Sequence, residues 1–166
     1  MCGICGTVYR SLQNGIEIYQ SLMAIQHRGQ DGAGIACIDE NNTQIKKDAG
    51  LINQIFNNND LTNMNGYFFI AHNRYKTNQI PNSFQPFYIS NYNINLSLCH
   101  NGNIINVPYL LELLYKNFNK KLDFISDSHV LSMYISEYVN KKLENKTLDF
   151  DVFIDLSDHL QEILKG

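Results

Sequence analysis

Apolar positions along the chain change period near residue 100. Before it, short β-prone runs dominate: Cys2–Tyr9, Gly34–Asp39, Thr43–Lys47, Gly66–Arg74 with Tyr67-Phe68-Phe69-Ile70 at its centre, Gln85–Ile89 and Ile94–His100. The second and third form a hairpin pattern around Asp39-Glu40-Asn41-Asn42. Between the first and second runs, Ile18, Leu22 and Ile25 recur at helical spacing and predict a helix over 15–28, stopped by Gly29. Residues 50–65 are polar and Asn-rich, with room for a short helix near Ile52–Phe56; residues 75–84 read as a loop. After the turn signal Asn101-Gly102, three helices are predicted, over 107–118, 127–143 and 149–164. Leu110, Leu111, Leu113 and Leu114 line the first, and Asp127 or Ser128 caps the second. Strands followed by helices predict an α+β fold, with helices layered on a mainly antiparallel sheet.

Length and composition narrow the class. The chain has 166 residues, enough for one domain, and 44% hydrophobic against 17% charged residues supports a packed core. The net charge of -3 gives no basic stripe for nucleic acid or anionic membrane. No apolar run is long enough to span a bilayer, and no secretory signal is evident at the N-terminus. Four cysteines, Cys2, Cys5, Cys37 and Cys99, are therefore expected reduced in a cytoplasmic protein.

Cys2 and Cys5 form a CxxC pair with three readings: a metal or redox module, two small buried residues, or a catalytic Cys2. The first lacks a second CxxC to complete a zinc site. Position favours the last. Met before a small residue is ordinarily trimmed, which leaves a thiol and an α-amine on one residue. That amine has a reference pKa of roughly 7.7–8.0, so part of it is free base at neutral pH and can accept the thiol proton.

Five motifs stand in a familiar order across almost the whole chain: Cys2-Gly3-Ile4-Cys5-Gly6; Gln26-His27-Arg28-Gly29-Gln30-Asp31-Gly32-Ala33-Gly34-Ile35; His72-Asn73-Arg74-Tyr75-Lys76-Thr77; His100-Asn101-Gly102-Asn103; and Ser126-Asp127-Ser128. Together they resemble the glutaminase domain of class II glutamine amidotransferases. Within that family Gln30, Gln85-Pro86-Phe87-Tyr88 and Cys99-His100-Asn101 are most similar to the amidophosphoribosyltransferase branch, which serves purine synthesis.

The resemblance implies an N-terminal-nucleophile hydrolase αββα sandwich, with no cofactor and no metal. It implies that Cys2 attacks the side-chain amide of L-glutamine. Asn101 and Gly102 supply oxyanion donors, Arg74 holds the α-carboxylate, Asp127 pairs with the α-ammonium, and Thr77 adds a contact. His27, Arg28, Gly29 and Tyr75 support the site. Residue by residue, plainer roles stay open: Arg74 as a solvated charge, Asn101-Gly102 as a hairpin turn, Asp127 as a helix cap.

The chain also departs from the family. Lys76, Asn78 and Gln79 alter the glutamine loop, and His129 stands where a glutamate usually follows Asp-Ser. The chain stops at Gly166, so the expectation is a partial domain over 1–166, without a phosphoribosyltransferase domain and short of several strands. A separate subunit or a second copy would then complete the sheet. A non-catalytic glutamine-binding or regulatory module is the alternative function.

Overall fold

A computed structural model describes residues 1–40, 42–75, 83–123, 126–144 and 147–166. They form an α+β chain with two compact units, one of Met1–Pro86 with Ser97–Asn101, the other of Phe87–Leu96 with Gly102–Gly166.

The first unit is built on a four-stranded antiparallel sheet in the order β1-β4-β2-β3, with β1 Gly3–Asn14, β2 Gly32–Ile38, β3 Thr43–Ala49 and β4 Asn65–Arg74. Register sets the faces. Ile35 lies opposite Ala71, Cys37 opposite Phe69, and Cys5 opposite Ala71. Because side chains alternate, this set shares one face. Helices α1 (Ile16–Ala24), α2 (Ile52–Ile55) and α3 (Asn58–Asn63) cover it, burying Ile18, Leu22, Ile52, Leu61 and Phe69. The opposite face along β1 and β4 leaves Ile4, Val8, Leu12 and Phe68 exposed.

The first strand runs five residues past its predicted end at Tyr9, through a register irregularity between Val8 and Gln13. The helix predicted over 15–28 divides. α1 ends at Ala24, and Gln26–Arg28 forms a separate 3-10 turn. Two side chains hold the chain where it leaves the helix. Asn73, fully buried on β4, donates from Nδ2 to the Leu22 carbonyl at 3.0 Å, and Gln26 accepts from the Ile52 amide at 2.9 Å while donating to the Gly29 carbonyl at 2.6 Å. The Asn73 bond satisfies a carbonyl in the last turn of α1, and the Gln26 bonds tie the following turn to α2 and to Gly29. Helix α3 was missed by periodicity because it is short, yet it carries a reciprocal cap: Asp60 N donates to Asn57 Oδ1 at 2.9 Å, and Asn57 N donates to Asp60 Oδ2 at 2.9 Å. Gly50, at φ 114°, makes the turn that leads into α2.

The second unit holds α4 (Val107–Phe118), α5 (Asp127–Lys142) and α6 (Phe150–Ile163), each within one residue of its predicted bounds. Strand β5 (Phe87–Ser90) packs on α5; it pairs with β6 (Asn95–Leu98) in a separate two-stranded sheet. Leu110, Leu114, Val130, Tyr134, Val139 and Val152 are buried here. Ser126 caps α5 by accepting from the His129 amide at 3.2 Å, and Asp149 caps α6 by accepting from the Val152 amide at 3.1 Å. Tyr134, Tyr138 and His159 stack beside a cavity of about 410 Å³, and none of the sequence-predicted site residues lines it. Among the described residues no helix is long and apolar enough to cross a membrane.

Leu22 is fully buried against the sheet. Leu22→Ala is expected to cost about 3 kcal/mol in urea denaturation. Val8→Ala, at a position 73% exposed, is expected to stay within about 0.5 kcal/mol. Equal losses at the two positions would contradict the assigned faces.

Candidate active site

Cys2 lies immediately before β1, at the end of the sheet where β4 finishes. With Gly3 opposite Asn73, continuing the ladder by one residue sets Cys2 across from Arg74. The thiol rests on the backbone just beyond: the Tyr75 amide donates to Sγ at 3.5 Å, and Sγ lies 3.9 Å from the Tyr75 carbonyl. Two side chains remote in sequence converge on the Cys2 carbonyl oxygen. Arg28 Nε donates to it at 3.0 Å and Asn101 Nδ2 at 3.2 Å. A side-chain amide nitrogen carries two hydrogens, so Asn101 keeps one N–H uncommitted among the described residues.

Gly29 permits this convergence. A Cβ there would stand 2.5 Å from the Arg74 carbonyl carbon and 2.7 Å from its oxygen, well inside contact distance. Next to it, the Asp31 amide donates to the Arg74 carbonyl at 3.0 Å. The end of β4 is thus clamped to the turn that carries Arg28. The Arg74 guanidinium lies 5.5 Å from the centre of the Phe84 ring and pairs with no carboxylate among the described residues. His27 is exposed and makes no hydrogen bond among the described residues, so the bracing contacts in this turn come from Gln26 and Arg28. Tyr75 contributes its backbone to the thiol, and its side chain is 54% exposed. Thr77 lies outside the described residues.

Gln85 braces the main chain before Asn101, a contact that its place in a motif did not reveal. Its side chain donates from Nε2 to the His100 carbonyl at 3.1 Å and accepts the His100 amide at Oε1 at 2.6 Å. This two-way bond fixes the main chain just before Asn101. Gln85 itself is seated on the sheet: a Cβ on Gly34 would fall 2.2 Å from its carbonyl oxygen, and Lys47 Nζ donates to the adjacent Pro86 carbonyl at 2.7 Å. Sequence reading used Gln85 only as the start of a strand and of the Gln85-Pro86-Phe87-Tyr88 motif.

Gly102 and Asp127 belong to the second unit. Asp127 opens α5, accepts the Ser128 amide at Oδ1 at 2.7 Å and accepts the Ile104 amide at Oδ2 at 3.0 Å. The capping role considered for it falls to Ser126.

Burial separates the cysteines. Along a strand, positions three apart face opposite sides, and Cys5 packs against the core cluster. Burial pushes its thiol up to about 11 and that of Cys37 to about 12, and it raises Cys99 as well. A metal or redox pair from Cys2 and Cys5 would need both sulfurs on one side, so the strand argues against that reading. His72, 1% exposed on β4, has neither ring nitrogen hydrogen-bonded among the described residues. Burial, with Arg74 and His100 adding repulsion, lowers it to about 4, so it is neutral at pH 7.

No family model matches the chain. It is 36% identical over 167 residues to an amidophosphoribosyltransferase of Pasteurella multocida, covering 98% of this chain and 32% of that one. It is 35% identical over 144 residues to the Escherichia coli amidophosphoribosyltransferase, covering 84% and 28%. Among solved structures, it is similar to the glutamine phosphoribosylpyrophosphate amidotransferase of B. subtilis complexed with ADP and GMP, at TM-score 0.70 and 30% identity over 99% of this chain and 33% of that one. A second similar structure, that of the allosteric regulatory enzyme of purine biosynthesis, gives TM-score 0.73 at 28% identity over 100% and 34%. The chain spans about a third of the length of the curated relatives it matches.

The depressed His72 couples folding to pH. Its folded pKa near 4 lies below the ordinary 6.5, so between those values the unfolded chain takes up a proton that the folded chain refuses. Stability from this group is complete above 6.5 and declines as pH falls toward 4, by roughly 3 kcal/mol in total. Urea denaturation from pH 7.5 to 4 is expected to show a shallower pH dependence in His72→Leu than in wild type. Identical slopes would show that His72 does not contribute.

Proposed function

We propose that this chain, a relative of the amidophosphoribosyltransferases that matches their class II glutaminase domain, hydrolyses glutamine to glutamate and ammonia with Cys2 as nucleophile. The observation that carries the reading is the convergence of Arg28 Nε and Asn101 Nδ2 on the carbonyl of Cys2, which ties two distant motifs to the one residue able to combine a thiol with an α-amine.

With Met1 removed, the Cys2 amine takes the thiol proton and the thiolate adds to the glutamine side-chain carbonyl. The electron pair moves to oxygen, where the spare N–H of Asn101 and the backbone N–H of Gly102 stabilise it. Collapse breaks the C–N bond. The amine returns its proton to the departing nitrogen, and ammonia leaves a γ-glutamyl thioester. Water then adds to the thioester, giving glutamate and restoring the thiol.

Arg74 receives the α-carboxylate. Its guanidinium, unpaired with any carboxylate among the described residues, supports this, since a fork of N–H donors matches a carboxylate bidentately. Asp127 takes the α-ammonium and Thr77 adds a contact, both on the strength of the family resemblance. The relatives are named amidophosphoribosyltransferases; what is proposed for this chain is glutamine hydrolysis alone. The apolar positions Ile4, Val8, Leu12 and Phe68 on the sheet's open face are read as contact for further polypeptide in the working enzyme.

Cys2→Ala in the Met1-processed chain is expected to abolish glutamate release while shifting stability by less than about 0.5 kcal/mol. Release at the wild-type rate would remove Cys2 as nucleophile; glutamine binding without turnover in wild type would favour a non-catalytic module. Arg74→Leu is expected to raise KM for glutamine roughly 10- to 100-fold, the cost of one charge-assisted contact. An unchanged KM would place the α-carboxylate elsewhere.

A further inference from the structure

Residues 103–106, immediately after Gly102, belong to no helix or strand, so other bonds must fix their direction. Asn106 is the residue before α4. Asn in that position ordinarily accepts a hydrogen bond from its own helix, yet this one makes no such bond. It reaches across the unit to the exit of α6. Its Nδ2 donates to the Ile163 carbonyl at 2.7 Å, and its Oδ1 accepts the Lys165 amide at 3.0 Å. Beside it the Ile105 amide donates to the Lys165 carbonyl at 2.9 Å. The contact is close enough that a Cβ on Gly166 would stand 2.6 Å from the Asn103 carbonyl oxygen.

The same segment is held from a second side. The Ile104 amide donates to Asp127 Oδ2, and Asp127's other oxygen is anchored by the Ser128 amide. Because Ser126 already caps α5, that carboxylate is available to the segment. Successive amides at 104 and 105 are therefore tied to two different helices. Gly102 has little conformational preference of its own, so the orientation of the Asn101–Gly102 peptide is set by what is fastened after it.

We propose that Asn106 is a positioning residue for catalysis: with the Asp127–Ile104 bond, it ties the chain after Gly102 to the ends of α5 and α6 and so aims the Gly102 N–H. This inference rests on the reading of Gly102 as an oxyanion donor. It also gives Asp127 a second task, through Oδ2, besides any contact with the substrate ammonium.

The test is Asn106→Ala in the Met1-processed full chain, with three measurements. Glutaminase kcat is expected to fall about 10- to 100-fold with KM within about threefold, since the loss is confined to the transition state. Alkylation of Cys2 by iodoacetamide is expected to keep its rate, because displacement at carbon develops no oxyanion. Backbone amide exchange at Ile105 and Lys165 is expected to accelerate at least about tenfold while β4 is unchanged. Asn106→Asp retains the bond from the Lys165 amide and loses the donation to Ile163, so it is expected to fall between wild type and Asn106→Ala in kcat.

Full kcat in the Ala variant would overturn the proposal, as would unaltered exchange at Ile105 and Lys165. A fall in alkylation matching the fall in kcat would overturn it too, by showing a disturbed nucleophile. A wild-type chain that releases no glutamate would instead overturn the glutaminase reading on which the proposal stands.

Discussion

The carbonyl oxygen of Cys2 accepts hydrogen bonds from Arg28 and Asn101, and the local structure of the first unit converges on that point. A residue at the head of an edge strand is ordinarily free to fray. Here its position is fixed by a guanidinium from the turn after α1 and a side-chain amide from the far end of β6. Each donor needs its own support. Arg28 depends on a turn that fits only because Gly29 lacks a side chain beside Arg74, and Asn101 depends on main chain that Gln85 grips through His100. Neutral donors would bind a carbonyl less firmly than the guanidinium does.

Much of this was legible in the sequence, for different reasons at different places. The helices of the second unit are long and amphipathic, with Ser126 and Asp149 as caps, so their ends could be placed closely. The hairpin of β2 and β3 announced itself by alternation around polar turn residues. The motif residues could be named because five spaced signatures occur together. Geometry between them was not legible. Nothing in Gln85 marks a side chain that brackets a remote peptide, and nothing in Asn106 marks a cap residue that has turned from its helix. Both are tertiary uses of a side chain whose local uses are commoner, and local reasoning assigns the common use.

The misreading at 15–28 has the same origin. Periodicity through Ile25 continues the helix, but the chain leaves it at Ala24, where Asn73 satisfies the Leu22 carbonyl from outside and the Gln26 side chain ties the following turn to α2. A helix end chosen by tertiary hydrogen bonds leaves little local trace. Its effect is to turn Arg28 toward Cys2, which one more regular turn would have aimed elsewhere.

Burial of the other cysteines has a consequence for selectivity. A thiol with a pKa near 11 is ionised at pH 7 to roughly one part in ten thousand, and only the thiolate attacks electrophiles and peroxides. Cys5, Cys37 and Cys99 are all pushed upward, which withdraws them from that chemistry. Oxidants and alkylating agents are thereby turned away from three of the four cysteines by the packing of the core itself.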